Sequence, residues 1–162
     1  MSNVAISIGT NLGKREHNIS TAIENLQFCC GKVIKQSALY ETEPWGFKSR
    51  DLFLNQVIVL VTEMEPEILM QQLLQIENSM GRERSSGSNY SSRLIDLDIL
   101  FYDDRIINTE MLVIPHPRLH ERNFILMPAA EIIPEFLHPV LRKSIAQLQL
   151  ECPDKQKVVK YS

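Results

Sequence analysis

Phe53-Leu54-Asn55-Gln56-Val57-Ile58-Val59-Leu60-Val61-Thr62 is the stretch that decides the fold. Its side chains alternate in period two. Phe53, Asn55, Val57, Val59 and Val61 fall on one face of an extended chain, and Leu54, Gln56, Ile58 and Leu60 on the other. Ten such residues predict a strand. Upstream, Val4, Ile6 and Ile8 alternate over residues 3–8 and predict another. The turn Gly9-Thr10-Asn11-Leu12-Gly13 leads into a helical stripe of Ile19, Ala22, Ile23, Leu26 and Cys30 over 15–30, with Gly31 placed to end it through a left-handed cap. Residues 32–40 read as a strand of poor alternation. Downstream, Pro66 opens a helix whose buried face is Leu69, Leu73, Ile76 and Met80, and Gly81 ends it. Residues 95–101 supply a further strand.

The order over the first 101 residues is therefore strand, helix, strand, strand, helix, strand. It predicts an α+β protein with a ferredoxin-like split βαβ core (βαββαβ): an antiparallel sheet with both helices on one face. The remainder decorates that sheet. It comprises short strands over 106–107 and 112–114, helices over 124–131 and 140–150, and an edge strand over 158–161. Residues 1–162 read as a single domain, and this length buries a real core without disulfides.

Apolar residues at 44% and charged residues at 23% fit a soluble globular chain, and the net charge of −3 gives no support to nucleic-acid binding. The run Val57–Val61 is far shorter than a membrane span, and the N-terminus lacks the layout of a secretory signal. Cys29, Cys30 and Cys152 have no metal-knuckle spacing and read as free thiols of a cytoplasmic protein.

Asp96-Leu97-Asp98 is the sharpest local signal. Period two puts both carboxylates on one strand face while Ile95, Leu97 and Ile99 enter the core. Side chains two apart lie about 7 Å from each other, close enough to bridge a pair of Mg²⁺ ions about 4 Å apart. Arg82, Arg84 and Arg93 flank a stretch whose residues from Ser85 onward hold six serines and glycines, the composition of a mobile loop able to bring arginine forks to phosphate. Phe53 and Asn55 share a face, and an aromatic plane beside an amide suits a flat heterocycle, with Phe124 as an opposite wall. Trp45 either lids a pocket or packs its own loop. His116, in Pro115-His116-Pro117-Arg118, is a candidate for donating to phosphate or assisting proton transfer, and Arg122 fits an anion contact beside Phe124. Glu77 lies off the apolar stripe of its helix and reads as solvated unless it joins the aspartates.

Taken in order, Gly9–Gly13, Tyr40-Glu41-Thr42-Glu43-Pro44, Phe53-Leu54-Asn55, Gly81-Arg82, Arg93-Leu94-Ile95-Asp96-Leu97-Asp98, Pro115–Arg118 and Arg122-Asn123-Phe124 resemble the 6-hydroxymethyl-7,8-dihydropterin pyrophosphokinase family over nearly the whole chain. That resemblance implies transfer of a diphosphoryl group from ATP, as co-substrate, to the hydroxymethyl group of a reduced pterin, releasing AMP, with two Mg²⁺ ions. It implies metal binding by Asp96 and Asp98. The pterin pocket would be Thr42, Pro44, Trp45, Phe53, Asn55 and Phe124, with Arg82, Arg93 and His116 catalytic and Glu77, Arg84 and Arg122 binding nucleotide. It also implies a monomer that needs no protein partner. Asn89, Tyr90, Ser91 and Ser92 depart from the family's usual loop residues, and Leu74, Met111 and Val113 replace polar ones. Other classes remain open: a different Mg²⁺-dependent nucleotidyl- or phosphotransferase, a noncatalytic ligand-binding domain, or an RNA-binding domain, which the absence of an RNP-type aromatic pattern disfavours.

Overall fold

The computed structural model describes residues 1–43, 51–81 and 94–162. Six strands form one antiparallel sheet around β4 (Phe53–Thr62). On one side β4 pairs with β1 (Ser2–Thr10), which pairs in turn with β5 (Asp96–Tyr102). On the other side it pairs with β2 (Lys32–Gln36) at one end and β3 (Tyr40–Thr42) at the other, and β8 (Val159–Lys160) closes the edge beyond β3. The strand expected over 32–40 is thus two strands. Between them Ser37 turns its hydroxyl to accept from Val57 N at 3.0 Å, an off-ladder bond that breaks the regular pairing. The short pair β6 (Ile107–Asn108) and β7 (Val113–Ile114) forms a separate ribbon.

Helices cover both faces. Helix α1 (Arg15–Cys29) and α2 (Pro66–Ser79) pack Ile19, Leu26, Leu69 and Leu73 onto Val4, Ile6, Ile58, Leu60 and Leu97. Helix α3 (Asn123–Ile132) and α4 (Ile145–Leu150) pack Ile125, Leu126 and Leu148 onto Ala5, Val57, Leu100 and Phe101. A β-bulge decides how β5 serves both layers. Ile6 pairs with Ile99 but Ala5 pairs with Phe101, so Leu100 is the extra residue and joins Phe101 on the second face.

Two local expectations are corrected. Gly31 is not left-handed; only Gly13 and Gly81 have positive φ among the glycines described. Gly31 is needed because a Cβ there would lie 2.0 Å from Val61 O. The last helix starts at Ile145 rather than near 140, because the Ser144 side chain caps it by accepting from Gln147 N at 3.1 Å. The residues before it are held instead by buried His138, whose Nδ1 accepts from Val140 N and Leu141 N.

Candidate active site

The second face of the sheet is covered only along half its length. Ala5, Val57 and Phe101 lie under α3 and α4, while Ser7 and Gly9, Asn55 and Phe53, and Asp98 and Asp96 continue the same face beyond those helices. Register aligns these open positions. Gly9 pairs with Asn55 on one side and Asp96 on the other, and Asn55 pairs with Tyr40, so Asp96, Gly9, Asn55 and Tyr40 form one row across four strands. Strand spacing puts the Asp96 and Asn55 backbones about 10 Å apart. Gly9 keeps the floor between them flat, since a Cβ there would approach Asn55 Oδ1 to 3.2 Å and Phe53 Cδ1 to 3.8 Å.

Asp96, Gly9 and Asn55 of this row floor a cavity of about 190 Å³ walled by Thr42 and Glu43 on one side and by Arg122 and Phe124 on the other. Asn55 is buried, and its Nδ2 donates to Thr42 Oγ1 at 3.0 Å. That bond fixes the amide orientation and leaves Oδ1 beside Gly9. The Arg122 guanidinium lies 5.9 Å from the Phe124 ring centroid, a cation–π distance. Phe124 and Arg122 reach the cleft because α3 begins there. The other end of α3 is held to β3, where Glu131 accepts from Tyr40 OH at 2.7 Å. Burial, and then that carboxylate, push the Tyr40 phenol up to about 12, so it stays a donor.

A second cavity of about 280 Å³ adjoins the first, and Asp98 lines both. Its walls are mainly apolar, with Leu73, Leu74, Met111 and Val113, while Glu77 and His116 supply polar groups. Glu77 is buried, not solvated, and its Oε1 accepts from Leu97 N at 2.8 Å. His116 N donates to Leu100 O at 3.0 Å, and His116 Nδ1 accepts from Arg118 N at 3.3 Å, so the neutral ring carries its proton on Nε2. Burial holds the imidazole below its ordinary pKa; Asp98 opposes this, and Arg122 and Arg118 reinforce it. Burial likewise lowers the Arg122 guanidinium against the pull of Asp98, yet arginine remains cationic at neutral pH.

The structure thus brings Thr42, Phe53, Asn55, Asp96, Asp98, Arg122 and Phe124 to one cavity, and Glu77 and His116 to its neighbour. Pro44, Trp45, Arg82, Arg84 and Arg93 lie outside the described residues. Ser7 and Gly9 are lining positions that the sequence alone does not single out. The signal for Ser7 and Gly9 was their shared period with Ala5 in β1, but only the sheet register shows which partners they meet.

The fold matches that of Plasmodium falciparum HPPK-DHPS, whose wild-type crystal structure superposes with a TM-score of 0.73 at 18% identity, over 93% of this chain and 44% of that one. Relatives at higher identity include the 2-amino-4-hydroxy-6-hydroxymethyldihydropteridine pyrophosphokinases of Porphyromonas gingivalis (40% identical, 86% of this chain and 95% of the relative) and Bacillus subtilis (41%, 82% and 79%). The folic acid synthesis protein fol1 of Pneumocystis carinii is 45% identical over 88% of this chain, which spans only 19% of that longer protein. The family model and these relatives place the chain in the class of ATP-dependent diphosphotransferases. The family model of 7,8-dihydro-6-hydroxymethylpterin-pyrophosphokinase (HPPK) matches residues 5–134, and the chain belongs to that family, the pyrophosphokinases of folate biosynthesis.

Proposed function

We propose that this chain transfers the terminal diphosphoryl group of ATP to the hydroxyl of 6-hydroxymethyl-7,8-dihydropterin, with the pterin in the Asn55 cavity and the adenine in the neighbouring one. The carrying observation is that two ring-sized cavities share a single carboxylate, Asp98. Bound there, the two substrates present their reactive ends to each other. Phe53 and Phe124 suit the faces of a flat heterocycle, and Asn55 and Thr42 its polar edge. Leu74, Met111 and Val113 give the adenine an apolar slot.

Asp96 and Asp98 fit Mg²⁺: both are hard oxygen donors on one cavity, and this ion is ordinarily held by one or two carboxylates plus phosphate oxygens. Two ions bound there would neutralise phosphate charge and polarise the phosphorus. The chain's own groups do the rest. The hydroxymethyl oxygen gives up its proton to solvent water and bonds to the β-phosphorus as the bond from that phosphorus to the oxygen bridging to the α-phosphorus breaks, and AMP leaves carrying that oxygen. Arg122 offsets the negative charge spread over the phosphate oxygens, and neutral His116 donates from Nε2. Arg82, Arg84 and Arg93 are assigned to the same phosphates, and Pro44 and Trp45 to the pterin, on the strength of sequence resemblance. The strand order β5-β1-β4-β2 supports a ferredoxin-like core. No helix among the described residues is long and apolar enough to cross a membrane. We read residues 1–162 as one cytoplasmic domain acting as a monomer, without an obligatory protein partner.

Rapid-quench product analysis with ATP, the reduced hydroxymethylpterin and Mg²⁺ tests this reading. AMP and pterin diphosphate should appear together in equal amounts, and a chelator should stop the reaction. ADP with a pterin monophosphate would overturn the chemistry. Pterin binding without turnover would indicate a ligand-binding module.

A further inference from the structure

The two walls of the first cavity come from distant parts of the chain, Thr42 and Glu43 from the end of β3 and Arg122 and Phe124 from the start of α3. A third segment joins them. Asp154 Oδ2 accepts from Asn123 N at 3.1 Å, its Oδ1 accepts from Gln156 N at 2.9 Å, and Gln156 Nε2 donates to Glu43 O at 2.6 Å. One carboxylate and one amide thus make a continuous polar chain from the helix wall to the strand wall.

The helix needs this chain. Arg122, the residue at its N-cap position, makes no side-chain capping bond, so the first amide of α3 is satisfied from Asp154. A carboxylate there also complements the positive end of the helix. The segment itself is anchored at both ends. Cys152 packs against the second core, and β8 pairs with β3, followed by Tyr161 N donating to Leu39 O at 2.8 Å. Between these anchors the even-numbered residues 152, 154, 156 and 158 are half-buried and the odd ones exposed, the period of an extended strap laid along a surface. The region matched by the family model ends at residue 134, short of all these residues.

We infer that Asp154 and Gln156 are positioning residues that set the separation of the Phe124 and Thr42 walls and thereby the affinity for the pterin. The inference rests on the assignment of that cavity to the pterin. Neither residue lines the cavity, so each acts through the group it holds. A charge-assisted bond to a backbone amide is strong enough for its loss to shift binding about tenfold.

Steady-state kinetics of Asp154→Ala, Asp154→Asn and Gln156→Ala provide the test. Asp154→Ala should raise the pterin KM about tenfold while leaving the ATP KM within about twofold. Asp154→Asn, which keeps one of the two acceptor oxygens, should recover only part of the loss, and Gln156→Ala should shift the same constant in the same direction. A folding defect would lower the active fraction and hence kcat with both KM values unchanged, and that result, or parent-like pterin KM in both alanine variants, overturns the inference. If the parent itself forms no AMP and pterin diphosphate, the substrate assignment fails instead. The strap is then judged by hydrogen exchange at the Asn123 amide, which Asp154→Ala should accelerate and which would contradict the strap if unchanged.

Discussion

One face of three strands has two fates in this molecule. Along half of it, Ala5, Val57, Leu100 and Phe101 meet α3 and α4 and form core. Further along the same strands, Ser7 and Gly9, Asn55 and Asp98 lie on the same face and line a cavity. The β1–β4 ladder runs unbroken across the boundary, and on β5 a bulge at Leu100 marks it, so the difference lies chiefly in side chains. An apolar row pulls helices onto the sheet, whereas a row of carboxylate, glycine and amide gives a helix nothing to bury against and leaves space for a ligand. The covered half holds the fold and the open half holds the proposed site, and they should fail differently when changed.

The largest separation of the two should come from Asp98→Asn or Asp96→Asn. Each keeps side-chain shape and removes one charge from the shared edge of the cavities. Turnover should drop about 10²–10³-fold, as for loss of one charge-stabilising group, while the thermal midpoint moves little. Full turnover in both variants would remove the metal assignment.

On the covered half, Leu126→Ala should do the reverse. Leu126 of α3 is wholly buried against the sheet, and its truncation should cost about 3 kcal/mol of stability from lost transfer energy and cavity formation. The KM for each substrate should stay near the parent's in the fraction that remains folded. Denaturant melts and kinetics on the same preparation read both quantities.

Gly9→Ala probes the boundary. Its methyl would press on Asn55 Oδ1, so the pterin KM should rise about tenfold while the melting temperature moves little. An unchanged KM would mean that the row of Asp96, Gly9 and Asn55 is not the floor of the pterin site.

The smallest effect expected is a pH slope far from the cavity. Burial, reinforced by nearby His120, holds His138 below its ordinary pKa of 6.5. The unfolded chain therefore takes up a proton there before the folded chain does. Its stabilising contribution is complete above the unfolded value and is lost as pH falls through the folded one. His138→Asn keeps an acceptor for the Val140 and Leu141 amides without titrating, so its midpoint should fall less steeply than the parent's below about pH 6.5. Parallel slopes would remove His138 as the source.

Legibility in the sequence followed the range of the interaction. Phe53 with Asn55, and Asp96 with Asp98, could be read as shared faces because period two is local. The order of strands and helices gave the antiparallel α+β arrangement for the same reason. Gly9 was visible as a turn residue, but its place between Asp96 and Asn55 depends on register between strands far apart in the chain. Glu77 read as solvated because nothing in its helix reveals that Leu97 N needs an acceptor. The helix over 140–150 was overextended because apolar spacing carries no record of the Ser144 cap. Asp154 and Gln156 gave no signal, since their partners lie at Asn123 and Glu43.

The central claim, that the open half of this sheet face is the pterin site, is tested most directly by equilibrium titration of the reduced pterin into the parent, Asn55→Ala and Phe124→Ala, with a nonhydrolysable ATP analogue titrated in parallel. In the proposed site Asn55 would offer its Oδ1 acceptor to the ring edge, its Nδ2 being held by Thr42, and Phe124 would offer a stacking face. Each variant should weaken pterin binding about tenfold or more while nucleotide affinity stays within about twofold of the parent. Parent-like pterin affinity in both variants would contradict the account.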